Sequence, residues 1–414
     1  MTMSTGFKDS EIGRIPVDWS VTTLGELTQV TSSKRVFQKD WRSSGVPFYR
    51  ARELAVMSEQ EQVDSELFID AKLYDELVGQ YGAPIEGDLL VTGRGTLGRT
   101  YLVRPGDRFY FQDGNITWVK RSKWLDSRFL EQLYRTPVVR AQVTGESAGT
   151  TVGTYTITNA RNTKIPLPAI SEQRQIADVL CDTDDMARAL LRLIAKKDEI
   201  KRGMMQELLR GKTRLPGFST EWRAVRFRDL AFPVKERISP SSTDGPSEVV
   251  ELEHLESATG RLVGSGLLAN SASLKTRFRA GDVLFGKLRA YLRKYWLADR
   301  DGYCSTEIWA LRAKPGWAVG GYIRYLVESE AFIDAAAISY GTHMPRSDWR
   351  IVGGLETRVP MFDEQAAIAS ILLDADAEIQ ALRDSLNECK AIKQGMMQEL
   401  LTGKTRFMPQ EVPA

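Results

Sequence analysis

Two stretches of the chain space their apolar residues alternately four and three apart. In the second stretch the stripe runs Ile368, Leu372, Ala375, Ile379, Leu382, Leu386, Cys389, Ile392, Met396 and Leu400. In the first it runs Ile176, Leu180, Thr183, Ala187, Leu190, Ile194, Lys197, Ile200, Met204 and Leu208. That spacing is the seam of a coiled coil, with polar breaks at Thr183 and Lys197 that fix register at some cost in stability. Ser171 and Asp363 are expected as N-caps, followed by Glu172 and Glu364 where the helix dipole favours a negative charge. Gly211 and Gly403 close the pattern as residues just past the helix end. About 39 residues lie between cap and stop, a rod of about 58 Å at the usual rise per residue.

The two stretches are copies. Ser171 onward and Asp363 onward align without a gap at an offset of 192, with 22 of 45 positions identical. Their ends, GMMQELLRGKTR and GMMQELLTGKTR, differ at one position. The segments before them echo each other more weakly. Pro16-Val17-Asp18-Trp19 with Leu27 resembles Phe218 to Trp222 with Leu230, GDLLV at Gly87 resembles GDVLF at Gly281, and Gly149-Thr150 parallels Gly341-Thr342. A fixed period of self-similarity indicates duplicated structural units. The helices are conserved between copies while the domains diverge, so something common binds the helices and something different is read by each domain.

Outside the helices, short β-rich runs such as Asp88–Val91, Thr100–Val103, Ile116–Val119 and Asp282–Phe285 alternate with turns such as Pro105-Gly106-Asp107 and Asp113-Gly114-Asn115. Helical runs fall at 127–135 and 321–329. The expected fold is therefore two mixed α/β globular domains joined by two long antiparallel helices in a coiled coil, with a pseudo-two-fold internal repeat. The boundaries read 1–165 for the first domain, 166–215 for the first helical region, 216–357 for the second domain and 358–414 for the second helical region. A hairpin within one ordinary core is the plainer alternative.

Composition narrows the function. A net charge of +2 excludes a bulk polyanion binder, so any nucleic acid must be held by local patches or with partners. Three distant cysteines, Cys181, Cys304 and Cys389, and only two histidines with no CxxC argue against a zinc site and suit a reducing compartment. No signal-peptide pattern or apolar membrane span is present, which points to the cytoplasm.

The basic residues fall in clusters. From 211 to 362 there are 22 basic and 17 acidic residues, against 21 and 20 in 1–165, so the second domain is the more basic. Its densest part holds Lys275, Arg277, Arg279, Lys287, Arg289, Arg293 and Lys294, interleaved with Phe278, Phe285, Tyr291, Tyr295 and Trp296. Such side chains neutralise phosphates, and arginine reads guanine in the major groove. The matching part of the first domain is a glycine-rich turn with Arg94, Thr96 and Arg99, joined by the basic stretch Lys34, Arg35, Lys39 and Arg42. His343 and Arg346 in the segment GTHMPR are further candidates.

Three motifs mislead. Gly93-x-Gly95-x-x-Gly98 matches a dinucleotide fingerprint but is followed by a strand, not by the helix that would hold the pyrophosphate. Gly-Lys-Thr at Gly211 and Gly403 ends a helix, whereas a phosphate-binding loop begins one, so Lys212 and Lys404 read as cations at helix C-termini or as DNA-backbone contacts. Glu251 and Glu253 beside His254 read as a surface strand rather than a metal site. No methyl-donor motif and no acidic nuclease cluster is visible.

The whole pattern resembles the specificity subunit of Type I restriction-modification systems. The resemblance rests on Ile15-Pro16-x-x-Trp19, Leu24-Gly25-x-Leu27, the GDLL and GDVL turns, Pro166-Leu167-Pro168 and Pro360 before the helices, Glu172-Gln173, Glu364-Gln365 and both LLxGK ends. It implies two target recognition domains, each reading half of an asymmetric DNA site. It also implies helices that set the gap and dock two modification subunits, which methylate adenine with S-adenosylmethionine, and restriction subunits that cleave using ATP and magnesium. By that likeness the chain has no catalytic site of its own. Partner docking falls on the shared stripes: Ile176, Leu180, Leu190, Ile194, Met204 and Leu208, then Ile368, Leu372, Leu382, Leu386, Met396 and Leu400. The rival readings are a self-contained DNA-modifying enzyme and a purely structural coiled-coil scaffold.

Overall fold

The computed structural model describes residues 6–59, 63–145, 153–239, 248–271, 273–340 and 345–407. Gly149-Thr150, Gly341-Thr342 and His343 lie outside the described residues. The chain divides into two compact units, residues 1–190 with 385–414 and residues 191–384.

Each unit is a mixed α/β domain. In the first, a four-stranded sheet runs Val30–Thr31, Ile116–Val119, Leu89–Thr92, Thr100–Leu102, all neighbours antiparallel. In the second, Ala231–Pro233, Ile308–Ala313, Val283–Gly286 and Tyr295–Leu297 form an antiparallel sheet in the same order. The central strands are buried on both faces, which is why they read as continuous apolar runs rather than alternating ones. Beside these lies a second sheet in each unit. It has four strands in the first (Tyr110–Phe111, Val46–Tyr49, Phe68–Ile69, Trp41–Arg42) and five in the second, centred on Lys275–Phe278 and Gly302–Ser305.

A two-stranded ladder closes each domain where the chain enters and leaves. Ser20–Thr23 pairs with Lys164–Leu167, and Arg223–Arg226 pairs with Glu356–Val359. Both exits lead directly into a 39-residue helix, Ile170–Leu208 and Phe362–Leu400. The helices begin one residue earlier than the caps expected at Ser171 and Asp363. The first turns are instead closed by the carbonyls of Ala169 and Met361, which accept from the amides of Gln173 and Gln365 at 3.0 Å. The other ends follow expectation: Gly211 and Gly403 adopt φ of 66° and 70°, and the Lys212 and Lys404 amides reach back to the carbonyls of Glu207 and Glu399.

The helices pack antiparallel within each unit. In the first unit Lys393 donates to Asp184 at 2.6 Å, and the Cys389 thiol lies on the Thr183 carbonyl. In the second, Lys201 pairs with Asp376 at 2.7 Å and with Glu328 at 2.8 Å, Lys197 with Glu378 and Arg383 with Asp198. Lys201 and Asp376 are the repeat counterparts of Lys393 and Asp184, with the roles of the two helices exchanged. Burial pushes the Asp184 carboxyl up, but the Lys393 hydrogen bond and the Arg135 charge outweigh it and hold its pKa below the ordinary 3.8. Its contribution to stability is therefore full above that value and lost as pH falls below it.

These lysines correct the seam. Ile200 and Ile392 are 45% and 59% exposed, and the residue after each turns inward in their place. The other stripe residues pack as expected. Ile176, Leu180, Leu400 and Leu208 are buried, as are Ile194, Ile368, Leu372 and Leu386, while Leu190, Leu382, Met204 and Met396 are half-buried. Most join domain side chains in the two main cores, Ile176, Leu180 and Leu400 around Trp19 and Phe129, Leu208, Ile368 and Leu372 around Trp222 and Tyr322. The fully buried members of the stripe therefore leave no surface for a partner, and docking by these side chains is corrected: they are spent within the chain.

Replacing Lys201 with Met leaves Asp376 and Glu328 partly uncompensated among apolar neighbours. Urea unfolding is expected to show a loss of about 3 kcal/mol, at the low end for a broken buried pair because Arg324 still contacts both acids. Adding Asp376→Leu to Lys201→Met is expected to recover part of that loss. A double-mutant cycle with no coupling would contradict the account.

Candidate nucleic-acid interface

The basic candidates gather on equivalent hairpin loops. In the first unit the loop Gly93–Arg99 joins the strands 89–92 and 100–102. Gly93 is required by close approach: a Cβ there would meet the Tyr155 carbonyl oxygen at 2.7 Å. Its amide donates to Asn115 and its carbonyl accepts from Tyr155. Gly95 and Gly98 adopt φ of 74° and 73°, a region other residues enter at a cost. The Thr92 hydroxyl braces the loop from inside, donating to the Thr96 carbonyl and accepting from the Arg99 amide. The result is a braced turn presenting Arg94, Thr96 and Arg99 to solvent. Arg94 donates to the Thr154 hydroxyl, and Arg99 lies 3.3 Å from Glu59.

Lys34 and Arg35 belong to the same group. Arg35 pairs with Asp113 at 3.2 Å, two residues from the Asn115 that holds Gly93. The Lys34 ammonium sits 4.8 Å over the Tyr81 ring. Arg42 is exposed and caps the carbonyls of Lys39 and Trp41 on the other sheet, with no contact joining it to the loop.

In the second unit the equivalent loop is Lys287–Lys294, between the strands 283–286 and 295–297. Arg346 is brought beside it by a bridge between Leu288 and Arg346, and it pairs with both Glu307 oxygens at 2.8 and 3.1 Å. The Lys287 amide donates to the Glu307 carbonyl. Arg293 pairs with Glu330 at 2.5 Å, a contact that raises the guanidinium pKa further. Lys294 donates to the Leu252 carbonyl at 2.7 Å. Among the described residues Lys287, half-buried, and Arg289, exposed, form no ion pair.

Two expectations are revised. Lys275 is buried in its strand, its ammonium 2.8 Å from both Glu251 and the Ser273 hydroxyl, and it reaches no phosphate. The segment Glu251–His254 is one turn of 3₁₀ helix at 252–254, not a strand. Its His254 ring accepts from the Glu251 amide and serves as a cap. Arg277 is half-buried beside Glu236.

The comparisons with known proteins agree with this architecture. Residues 16–202 match the family model described as Type I restriction modification DNA specificity domain. A putative MjaX specificity subunit from Methanocaldococcus jannaschii is 22% identical, over 97% of this chain and 96% of the relative. The EcoDI specificity subunit of Escherichia coli is 22% identical over 94% of this chain and 88% of its own length. A putative specificity subunit from Haemophilus influenzae is 30% identical, over 39% of each chain. The crystal structure of a Type I system S subunit from M. genitalium shares the fold, with a TM-score of 0.61 at 13% identity, over 93% of this chain and 96% of that one. Over nearly its whole length the chain is thus similar to Type I restriction-modification specificity subunits, and it shares the fold of one of them.

Two exposed tryptophans stand out in the structure and not in the sequence pattern. Trp124 and Trp317 are 60% and 43% exposed, one in each unit. The carbonyl of each accepts from the glutamine of its helix's Glu-Gln start, Gln173 and Gln365. The only sequence signal is an apolar side chain a few residues before a short helix, which core residues share. Of the five aromatics interleaved with the second basic cluster, four are core and only Tyr291 is exposed, at 60%.

Exposure ranks the cations. Arg289→Ala is expected to reduce the slope of log affinity against log salt by about one in anisotropy titrations with duplex DNA. Lys275→Ala should leave the slope unchanged and lower the unfolding midpoint; a slope change there would show that the lysine reaches the DNA.

Proposed function

We propose that this chain reads a two-part, asymmetric DNA site and carries no catalysis of its own. The observation that supports it is one frame presenting two unlike loops. Both hairpin loops occupy the same place in the same strand order, yet one is glycine-rich without an aromatic and the other is a cationic turn with an exposed aromatic. Unlike loops on like scaffolds read unlike sequences, so the target has two dissimilar halves. Lys34, Arg35, Arg42, Arg94, Thr96 and Arg99 serve the first half. Arg277, Lys287, Arg289, Arg293, Lys294 and Arg346 serve the second, with phosphate contacts setting register and base contacts setting specificity.

The paired helices set the gap between halves and recruit two modification subunits. With the buried members of the stripe spent within the chain, docking falls on repeat-equivalent exposed groups: Ile200 with Ile392, and Trp124 with Trp317. Two equivalent surfaces in one chain account for two copies of a partner. S-adenosylmethionine, magnesium and ATP belong to the modification and restriction subunits, which act on DNA in the cytoplasm. No helix among the described residues is long and apolar enough to cross a membrane.

Four residues inserted into both helices, about one turn each, test the gap. In selection from a random duplex pool by the assembled complex, the two conserved blocks are expected to stay the same while the spacer between them lengthens. An unchanged spacer would contradict the role of the helices, and selection of a single uninterrupted block would contradict the two-part reading. Methylation or cleavage by the purified chain alone would favour the self-contained enzyme.

A further inference from the structure

The second reader carries a feature the first lacks. Among the described residues, three other than glycine adopt positive φ: Ala258 at 61°, Arg289 at 53° and Arg293 at 50°. Two of them bracket a single 3₁₀ turn, Ala290–Leu292, and the third donates its amide to the Arg293 carbonyl at 2.9 Å. Left-handed backbone at residues with a Cβ persists only where the surroundings enforce it, and such strain gathers at binding sites. Here the enforcement is visible. Ala290 is buried at 4% exposure in the domain core. The Arg289 amide donates to the Pro345 carbonyl at 3.0 Å, and Arg293 is fixed by Glu330.

What this frame holds outward is apolar: Tyr291 at 60% and Leu292 at 37% exposure. Around them the segment 287–294 contains four cations and no acid. An aromatic tip flanked by Lys287 and Arg289, which form no ion pair among the described residues, suits a polyanion whose interior is a stack of flat bases. Apolar side chains held between cationic contacts unstack base steps in this way, and the stacking surface is sequence-tolerant.

We propose that Tyr291, with Leu292 behind it, is a wedge that enters a base step of double-stranded DNA while Lys287 and Arg289 hold the flanking phosphates. The inference rests on the DNA-reading role above and adds indirect readout to it: a flexible pyrimidine–purine step is favoured where the wedge enters. The equivalent loop of the first unit, Gly93 to Arg99, has no aromatic residue. The distortion is therefore confined to the half-site read by the second unit.

The test uses the full chain assembled with its modification subunits and a duplex carrying the sequence that this complex selects from a random pool, with 2-aminopurine placed at each adenine in turn. The expected result is a fluorescence rise at one step, in one half only. Tyr291→Ala is expected to abolish the rise and weaken binding about tenfold without changing the salt slope, and Tyr291→Phe to retain both rise and affinity. Arg289→Ala should keep the rise and lower the slope. A wild-type complex that unstacks no step, or a Tyr291→Ala complex with unaltered fluorescence and affinity, overturns the wedge while leaving DNA reading intact. Loss of subunit assembly by Tyr291→Ala in the absence of DNA overturns it in favour of a protein contact. Failure of the wild-type complex to select any sequence overturns the DNA-reading role itself.

Discussion

The glutamate that opens each long helix is buried, and an arginine from the end of the other helix neutralises it. Arg406 contacts Glu172 through Nε and Nη2, at 2.5 and 2.9 Å, and Asp18 through Nη1 and the shared Nη2. Arg214 contacts Glu364 at 2.7 and 2.8 Å. Each glutamate also accepts from a tryptophan indole, Trp19 or Trp222. A buried carboxylate without such partners is costly, and the planar guanidinium matches both oxygens at once. The adjoining Arg406–Asp18 pair holds the Asp18 carboxyl below its ordinary pKa. The arginine and the glutamate lie in different repeats, so each clamp ties one copy to the other, and the first unit is completed only by the separate segment 385–414. The GKTR ends that both copies share are accounted for by this clamp: the glycine turns the chain under the tryptophan and the arginine, three residues on, reaches the glutamate.

That constraint separates frame from reader. Glu172-Gln173, Glu364-Gln365, the lysine–aspartate pairs and the helix ends recur in both copies because each is needed twice. The hairpin loops bear no such load and have diverged from Gly93–Arg99 in one unit to Lys287–Lys294 in the other. The frame fixes where a loop stands, and the loop's own residues fix what it presents.

The helices, their seam and their stop signals were legible because a period of 3.5 residues and a glycine past the end are local properties. The central strands were legible for the same reason. Lys201 and Lys393 were not, since a lysine beside an apolar stripe reads as a solvated flank until an aspartate from the other repeat is placed against it. Helix starts were off by two residues because Ala169 and Met361, not the expected Ser171 and Asp363, stand at the cap and their main-chain carbonyls close the first turn. Lys275 looked like its cationic neighbours, and only the strand pairing that sets it over Glu251 removes it from the surface. Tyr291 stood in a list with four core aromatics, and the backbone at Arg289 and Arg293, which distinguishes it, leaves no trace in residue type.

The central claim is that one duplicated frame, locked across its repeats, carries two different readers. Mapping adenine methylation across the genome of a host that carries this chain with its complete set of partner subunits tests it most directly. The expected result is modification at one non-palindromic motif made of two unlike blocks with a fixed gap. A palindromic motif or a single continuous block would contradict it.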